Sequence, residues 1–198
     1  MFGEIIAFLV EPFLLLDYWS PKYLLHHWFF NGYQMGSLED FLYGFFLGGI
    51  AAVIYEEVFG KRFIKRRDRR YSWRWFTIPF FVIGIPLFLF PILTFKINSM
   101  YAAFISICFC VAFSIYFRRD LLIDSLASGL LMGSIYLAII LLFSALFPGI
   151  LNAQWKLQNL SGIFILGIPI EEPAHAFALG ALLGPFYEFF AGLKFRKK

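Results

Sequence analysis

Two acidic doublets stand at the heads of apolar stretches: Glu39-Asp40 in the run Leu-Glu-Asp-Phe-Leu-Tyr-Gly from Leu38, and Glu171-Glu172 in Ile-Glu-Glu-Pro-Ala-His-Ala from Ile170. Adjacent carboxyl groups in an apolar setting suit general acid/base work, because one can hold a proton while its neighbour stays ionised, and the two titrate as a unit. Each doublet opens a run that aligns with the other at a constant offset of 132 residues. Glu39 pairs with Glu171, Asp40 with Glu172, Phe45 with Phe177, Leu47 with Leu179, Gly48 with Gly180, Tyr55 with Tyr187 and Glu56 with Glu188. This reads as a degenerate repeat with copies over 38–56 and 170–188. A helix N-terminus also attracts acidic residues through its dipole, but one solvated carboxylate would serve there, and two doublets exceed that need.

His175 lies four residues beyond Glu171 and three beyond Glu172, within reach of both on a helix. The resulting Glu-x-x-His also occurs in carboxylate-bridged di-metal bundles, which use it twice. Tyr43 occupies the matching place in the first copy, and His26 and His27 are the remaining imidazoles, so no metal is expected. His175 is expected to hydrogen-bond the carboxyls instead. Neither a phosphate-binding glycine loop, a dinucleotide fingerprint, zinc-spaced Cys and His nor a nucleophile elbow occurs, which leaves redox cofactors and nucleotide hydrolysis without support.

The elements that must position these groups are set by composition. Of 198 residues 61% are hydrophobic and 15% charged, with a mean hydropathy of +0.75, too few polar side chains to cover a water-soluble globule. The expected fold is one all-α integral membrane domain over residues 1–198, with six spans at about Phe2 to Leu16, Leu38 to Gly60, Phe76 to Phe95, Ser99 to Phe117, Leu121 to Pro148 and Ile170 to Leu193. Strands are not expected, since the runs are continuous and not alternating. The first segment carries Glu4 and Glu11 and lacks a basic leader, so it reads as a retained span. The net charge of +4 and pI near 9.1 do not indicate nucleic acid, because the basic residues cluster just outside the spans. With both termini cytoplasmic, the inner ends collect Lys61, Arg62, Lys65, Arg66, Arg67, Arg69, Arg70, Arg74, Arg118, Arg119, Lys194, Arg196, Lys197 and Lys198, leaving Lys22, Lys96 and Lys156 outside. Both doublets then stand at one membrane level.

Further details follow from spacing. Pro79, Pro86 and Pro91 should kink the third span, and Trp73 and Trp75 suit the headgroup boundary. Gly44/Gly48, Gly129/Gly133 and Gly180/Gly184 are small pairs that let helices approach closely. Cys108 and Cys110 point to opposite helix faces and cannot bond to each other. The charge-free stretch Leu160 to Ile170, with Gly162, Gly167 and Pro169, can dip into the bilayer beside protein and sink Glu171 and Glu172 below the surface. Glu56, Glu57, Asp124 and Glu188 lie near basic ends and read as ion-pair partners.

Trp155, then Gly162 and Gly167, then Pro169-Ile170-Glu171-Glu172 with Phe177 following, resembles the Pro-x-Glu-Glu signature of the membrane-embedded lycopene cyclase domain. Asp17, Trp19 and Glu39-Asp40-Phe41-Leu42 are similar to its partner repeat. Pro173, Ala174 and His175 replace the aromatic and aliphatic residues of that pattern, and the first doublet lacks the preceding proline. The resemblance, over about Asp17 to Glu188, implies a domain whose halves occur as separate subunits or one fused chain, distinct from the flavin-containing cyclases. It implies cyclisation of a carotenoid or related isoprenoid end group with no cofactor. Glu171, Glu172, Glu39 and Asp40 would be catalytic, and Trp19, Tyr43, Trp155, His175 and Phe177 would line the substrate. Its partners would be an apolar polyene, the bilayer and a second subunit, alike or unlike, in a prokaryotic cytoplasmic membrane. A hydratase is a close variant. The rival classes are a small transporter or lipid-binding protein using the same acidic helices, and a structural subunit that completes another chain's site.

Overall fold

The computed structural model describes residues 2–22, 27–30, 33–59, 61–65, 73–186, 189 and 193–197. The chain is mostly helical, in the order α1 (Phe2–Asp17), β1 (His27–Phe30), β2 (Tyr33–Ser37), α2 (Leu38–Phe59), β3 (Lys61–Lys65), α3 (Trp73–Phe95), α4 (Ser99–Phe117), α5 (Leu122–Leu146), α6 (Ile150–Gln154), β4 (Phe164–Ile165), β5 (Ile168–Pro169), α7 (Glu171–Leu183) and β6 (Leu193–Lys197). The first five long helices start and end within a few residues of the spans read from hydropathy. Each is a continuous apolar run, and α3 remains one helix through Pro79, Pro86 and Pro91.

Two expectations need correction. Strands do occur, as three antiparallel pairs, β1 with β2, β3 with β6 and β4 with β5, all in the segments between or after the helices. They are too short for an alternating pattern to be visible, and pairing across a turn supplies hydrogen bonds that no helix offers there. The sixth span is also not one helix from Ile170 to Leu193. Helix α7 ends at Leu183, before Gly184-Pro185, and Leu193 opens β6. Proline lacks the N–H that would continue the ladder. At thirteen residues α7 is roughly 20 Å long, short of a bilayer's apolar core of about 30 Å.

Among the described residues, large apolar side chains crowd the surface, and several charged or polar groups lie buried beside the apolar core. Leu93, Ile123, Leu130 and Tyr116 stand exposed, while Glu11, Asp40, Ser99, Arg118, Asp124, Ser125, Ser128, Glu171 and Glu172 are buried. Such an arrangement costs free energy in water and is stable where lipid covers the outside. Among the described residues, Ser99–Phe117 and Arg119–Leu146 are each long and apolar enough to cross a membrane.

The site depends on the seam between α5 and α7. A Cβ on Gly129 would meet the Phe177 ring and carbonyl at 2.9 Å, and one on Gly180 would lie 2.5 Å from Met132 Cβ and 2.7 Å from the Ser128 carbonyl. Ser125 Oγ donates to the Ala181 carbonyl at 2.5 Å. The small-residue pairs Gly129/Gly133 and Gly180/Gly184 therefore lie at one contact, which is why the two backbones can approach. Helix α4 packs on both α3 and α7, and α2 touches α1, α5 and α7. Strand β3 runs antiparallel to β6, with Lys61 opposite Lys197 and Arg62 opposite Arg196, so the segments after α2 and at the chain's end meet. Arg66, Arg67, Arg69, Arg70, His26, Tyr187, Glu188 and Lys198, used in the topology, metal and repeat readings, lie outside the described residues.

Candidate active site

Helix α7 is delivered to its start by a tight hairpin. Strands β4 and β5 pair through Ile165 and Ile168, with Leu166 at φ 53° and Gly167 at φ 84° in the turn. The Ile170 amide then donates to the Ile163 carbonyl at 2.9 Å, which seats Glu171 and Glu172 in the first helical turn. Helix α5 runs alongside and continues well past this point. Tyr136, which reaches Glu172, lies ten residues before the α5 end at Leu146, or about 15 Å along the axis. The doublet is thus sunk well below that end of the bundle.

Glu172 is 3% exposed and surrounded by donors from three other parts of the chain. Its Oε1 accepts from the Tyr18 hydroxyl and, at 2.7 Å, from Trp155 Nε1. Its Oε2 accepts from the Tyr136 hydroxyl at 2.7 Å. Trp155 Nε1 also approaches the Tyr18 oxygen at 3.2 Å. Glu171 has a different set: Oε1 accepts from the Ser161 amide at 2.6 Å and from the Tyr101 hydroxyl at 2.8 Å, while Oε2 is buried with no hydrogen bond. Neighbouring side chains on a helix diverge by about 100°, so one carboxyl turns toward α5 and α1 and the other toward α4.

His175 departs from expectation. Its Nε2 is buried without a hydrogen bond, and neither carboxyl takes it as a partner. Tyrosine, tryptophan and main-chain donors reach three of the four carboxyl oxygens instead, arriving from packed neighbours at the same level, whereas His175 sits one turn further along. Phe177 is held in the α5–α7 seam against Gly129 and Gly133. Among the described residues no three His, Cys, Asp or Glu side chains form a group that could hold a metal ion.

The two tryptophans of the sequence reading meet directly. Trp19 and Trp155 form an antiparallel bridge, flanked by Ser20 N to Gln154 O at 2.7 Å and Lys156 N to Tyr18 O at 2.9 Å, with ring centroids 6.4 Å apart. Trp19 Nε1 is buried with no hydrogen bond. Lys156 Nζ donates to the Leu15 and Leu16 carbonyls at 2.9 Å each, closing the C-terminal end of α1. Asp17 accepts from the Ser99 amide at 2.8 Å and from the Ser99 hydroxyl, tying α1 to the start of α4. This bracing fixes Tyr18 and Trp155 over Glu172.

The first doublet has another environment. Asp40 Oδ2 accepts from Ser37 N at 2.7 Å and Ser37 Oγ at 2.9 Å, while Ser37 Oγ accepts from Asp40 N at 3.1 Å. That is a reciprocal cap on the start of α2. Glu39 is partly buried beside it. Tyr43, one turn on, meets the hydroxyl of Tyr136 and lies within electrostatic range of Glu11. Sequence reasoning missed Tyr18, Tyr101, Tyr136 and Ser161. Tyr136 carried a usable signal, a phenol at the second position of the apolar run from Ile135 to Leu142. The other three carried none.

Residues 98–190 match the family model described as lycopene cyclase. This segment is similar to the lycopene cyclase family. The matched segment is just under half of the chain and contains Tyr101, Tyr136, Trp155, Ser161, Glu171, Glu172 and His175, while Tyr18, Trp19 and the first doublet come from outside it. Neither a curated protein nor a solved structure matches the chain.

Proposed function

We propose that the chain is a membrane-embedded cyclase that closes a ring at the end of a carotenoid or related isoprenoid by carboxyl-based proton transfer, without a redox cofactor. The observation that carries this reading is Glu172, a fully enclosed carboxyl within the matched segment that meets two phenols and an indole. Ring closure of a polyene end group is an isomerisation. A proton adds to the terminal double bond, a carbon–carbon bond forms, and a different proton leaves, so no electrons are exchanged. Glu172 is the acid. Glu171, which accepts from the Ser161 amide and the Tyr101 hydroxyl, serves as the counter-charge in this reading. Trp19 and Trp155 present aromatic faces nearby, and such faces stabilise a desolvated cation by about 2 kcal/mol or more. Glu39 stands partly buried at the start of α2. Asp40 acts mainly by capping that helix.

The topology that fits this chemistry has six membrane-crossing segments and both termini on the cytoplasmic side, the last crossing being completed by α7 with the hairpin before it. Its support is the pairing of β3 with β6, which joins the segment after α2 to the end of the chain, and the meeting of the α1, α4 and α7 ends around Asp17, Ser99 and Glu171. Reporter fusions after Arg70 and Lys198 should both read cytoplasmic; opposite readings would remove this arrangement.

The deciding experiment is expression in cells that accumulate lycopene, followed by separation of the pigments. A cyclic product of unchanged mass is expected. Unaltered lycopene together with proton or cation flux through reconstituted vesicles would replace the cyclase reading with transport.

A further inference from the structure

The donors that hold the two α7 carboxyls share an anchor at the end of α1. Tyr18, which donates to Glu172, directly follows Asp17. Tyr101, which donates to Glu171 at 2.8 Å, stands in the first turn of α4, two residues after Ser99. The Asp17 carboxylate joins these two places, Oδ2 accepting from the Ser99 amide at 2.8 Å and Oδ1 from the Ser99 hydroxyl. The Asp17 carbonyl accepts from Asn159 Nδ2 at 2.6 Å and from Asn98 Nδ2 at 3.2 Å, and Asn159 lies two residues before Ser161, whose main-chain amide donates to Glu171. The Tyr18 carbonyl accepts from the Lys156 amide at 2.9 Å, beside Trp155, whose indole donates to Glu172. Every donor to the doublet except Tyr136 therefore stands within two residues of a hydrogen bond made at Asp17 or Tyr18. Helix α4 already carries a local cap, since Asn98 Oδ1 accepts from the Met100 amide at 2.9 Å. What the Asp17 side chain adds is registration between α1 and α4.

We infer that Asp17 is a positioning residue for the cyclisation: its carboxylate sets the spacing between Tyr18 and Tyr101, and through their hydroxyls the placing of Glu172 and Glu171. The inference rests on the cyclase reading. Among the described residues Asp17 bonds to neither glutamate, so it acts through the tyrosines and takes no proton itself. Hydrogen bonds weaken steeply as distance and angle depart from their optimum. A shift of α1 against α4 by about 1 Å would loosen one phenol or the other and free its carboxyl to turn, and misplacement on that scale costs up to about 10²-fold in rate. One anchor thus keeps the acid and the counter-charge in step, although they turn toward different helices.

The test is a double-mutant cycle on kcat for the full chain in lipid vesicles loaded with lycopene. Asp17→Ala should lower kcat by about 10- to 10²-fold with KM unchanged, because substrate still binds while the reacting groups are misplaced. In a Tyr18→Phe/Tyr101→Phe background the same substitution should cost less than about threefold, since the hydroxyls it places are gone. That background keeps Trp155 and Tyr136 on Glu172 and the Ser161 amide on Glu171, so turnover remains measurable. Should it be too slow to read, Tyr101→Phe alone serves, and there the Asp17→Ala loss should shrink by about threefold or more. If Asp17→Ala fails to fold, Asp17→Asn, which keeps one acceptor oxygen, takes its place in the cycle. An equal loss in both backgrounds, or a lowered melting temperature with kcat kept, overturns the positioning role and leaves Asp17 a brace between two helices. A wild type that leaves lycopene unchanged overturns the cyclase reading, and the positioning role with it.

Discussion

The starts of α2 and α7 each carry an acidic doublet in the first helical turn, and the fold uses them differently. At α2 the second carboxyl closes on its own helix end, through a serine three residues away. At α7 the second carboxyl has no local partner and is met by side chains from α1, α5 and the Trp155 segment. The difference lies in what precedes each helix. Ser37 is a natural cap, so Asp40 finds its donors next door. Ile170 offers no side-chain oxygen, and the hairpin before it buries the doublet beside α5. A carboxyl satisfied locally stabilises a helix; one satisfied only by distant groups becomes part of a site.

The sharpest way to break this contrast is Glu172→Gln. The amide retains the shape but cannot pass a proton, so turnover of lycopene should fall by at least about 10³-fold while the protein still elutes as a single folded species in detergent. Persistence of the cyclic product would mean that the α7 doublet is no more chemical than the α2 one. Glu171→Gln should be somewhat milder, about 10²-fold in kcat, since it weakens the counter-charge and the tie to Ser161 and Tyr101 without removing the acid. Equal loss in both variants would argue for a shared proton and not for divided roles.

Stability measurements sharpen the other side. Gly180→Ala forces a methyl group into Met132 and the Ser128 backbone, and should destabilise the bundle by about 1–3 kcal/mol, read as an earlier thermal transition in detergent. Ser37→Ala removes the cap on α2 and should cost about 0.5–2 kcal/mol. Its turnover, measured below the transition, should be close to wild type. If Ser37→Ala instead abolished activity in a folded protein, the α2 doublet would belong to the reacting centre after all.

Much of the helical layout was legible before any coordinates, because long apolar runs report directly on where a chain can be helical in lipid. Ser99 to Phe117 coincides with α4, and the glycine pairs at 129/133 and 180/184 pointed to the α5–α7 seam. The end of α7 was not legible, since the apolar run continues past the Gly184-Pro185 break. His175 illustrates a limit of spacing arguments. Positions three and four apart can meet, but three of the four carboxyl oxygens take donors from other elements, and the fourth, Glu171 Oε2, does not meet His175 either.

The sequence by itself determined that this is a helical, apolar chain with acidic groups at two helix starts and a lycopene cyclase signature around the second. Only the tertiary structure decided which of those groups would be enclosed, and by what. Glu172 takes its donors from residues 154, 36 and 17 positions away, and Glu171 from residues 70 and 10 away. A pattern read along the chain reports on neighbours within a turn or two of helix. Hydrogen bonds over such separations exist only because glycines let α5 and α7 close together and because the Trp19–Trp155 bridge holds the end of α1 above them.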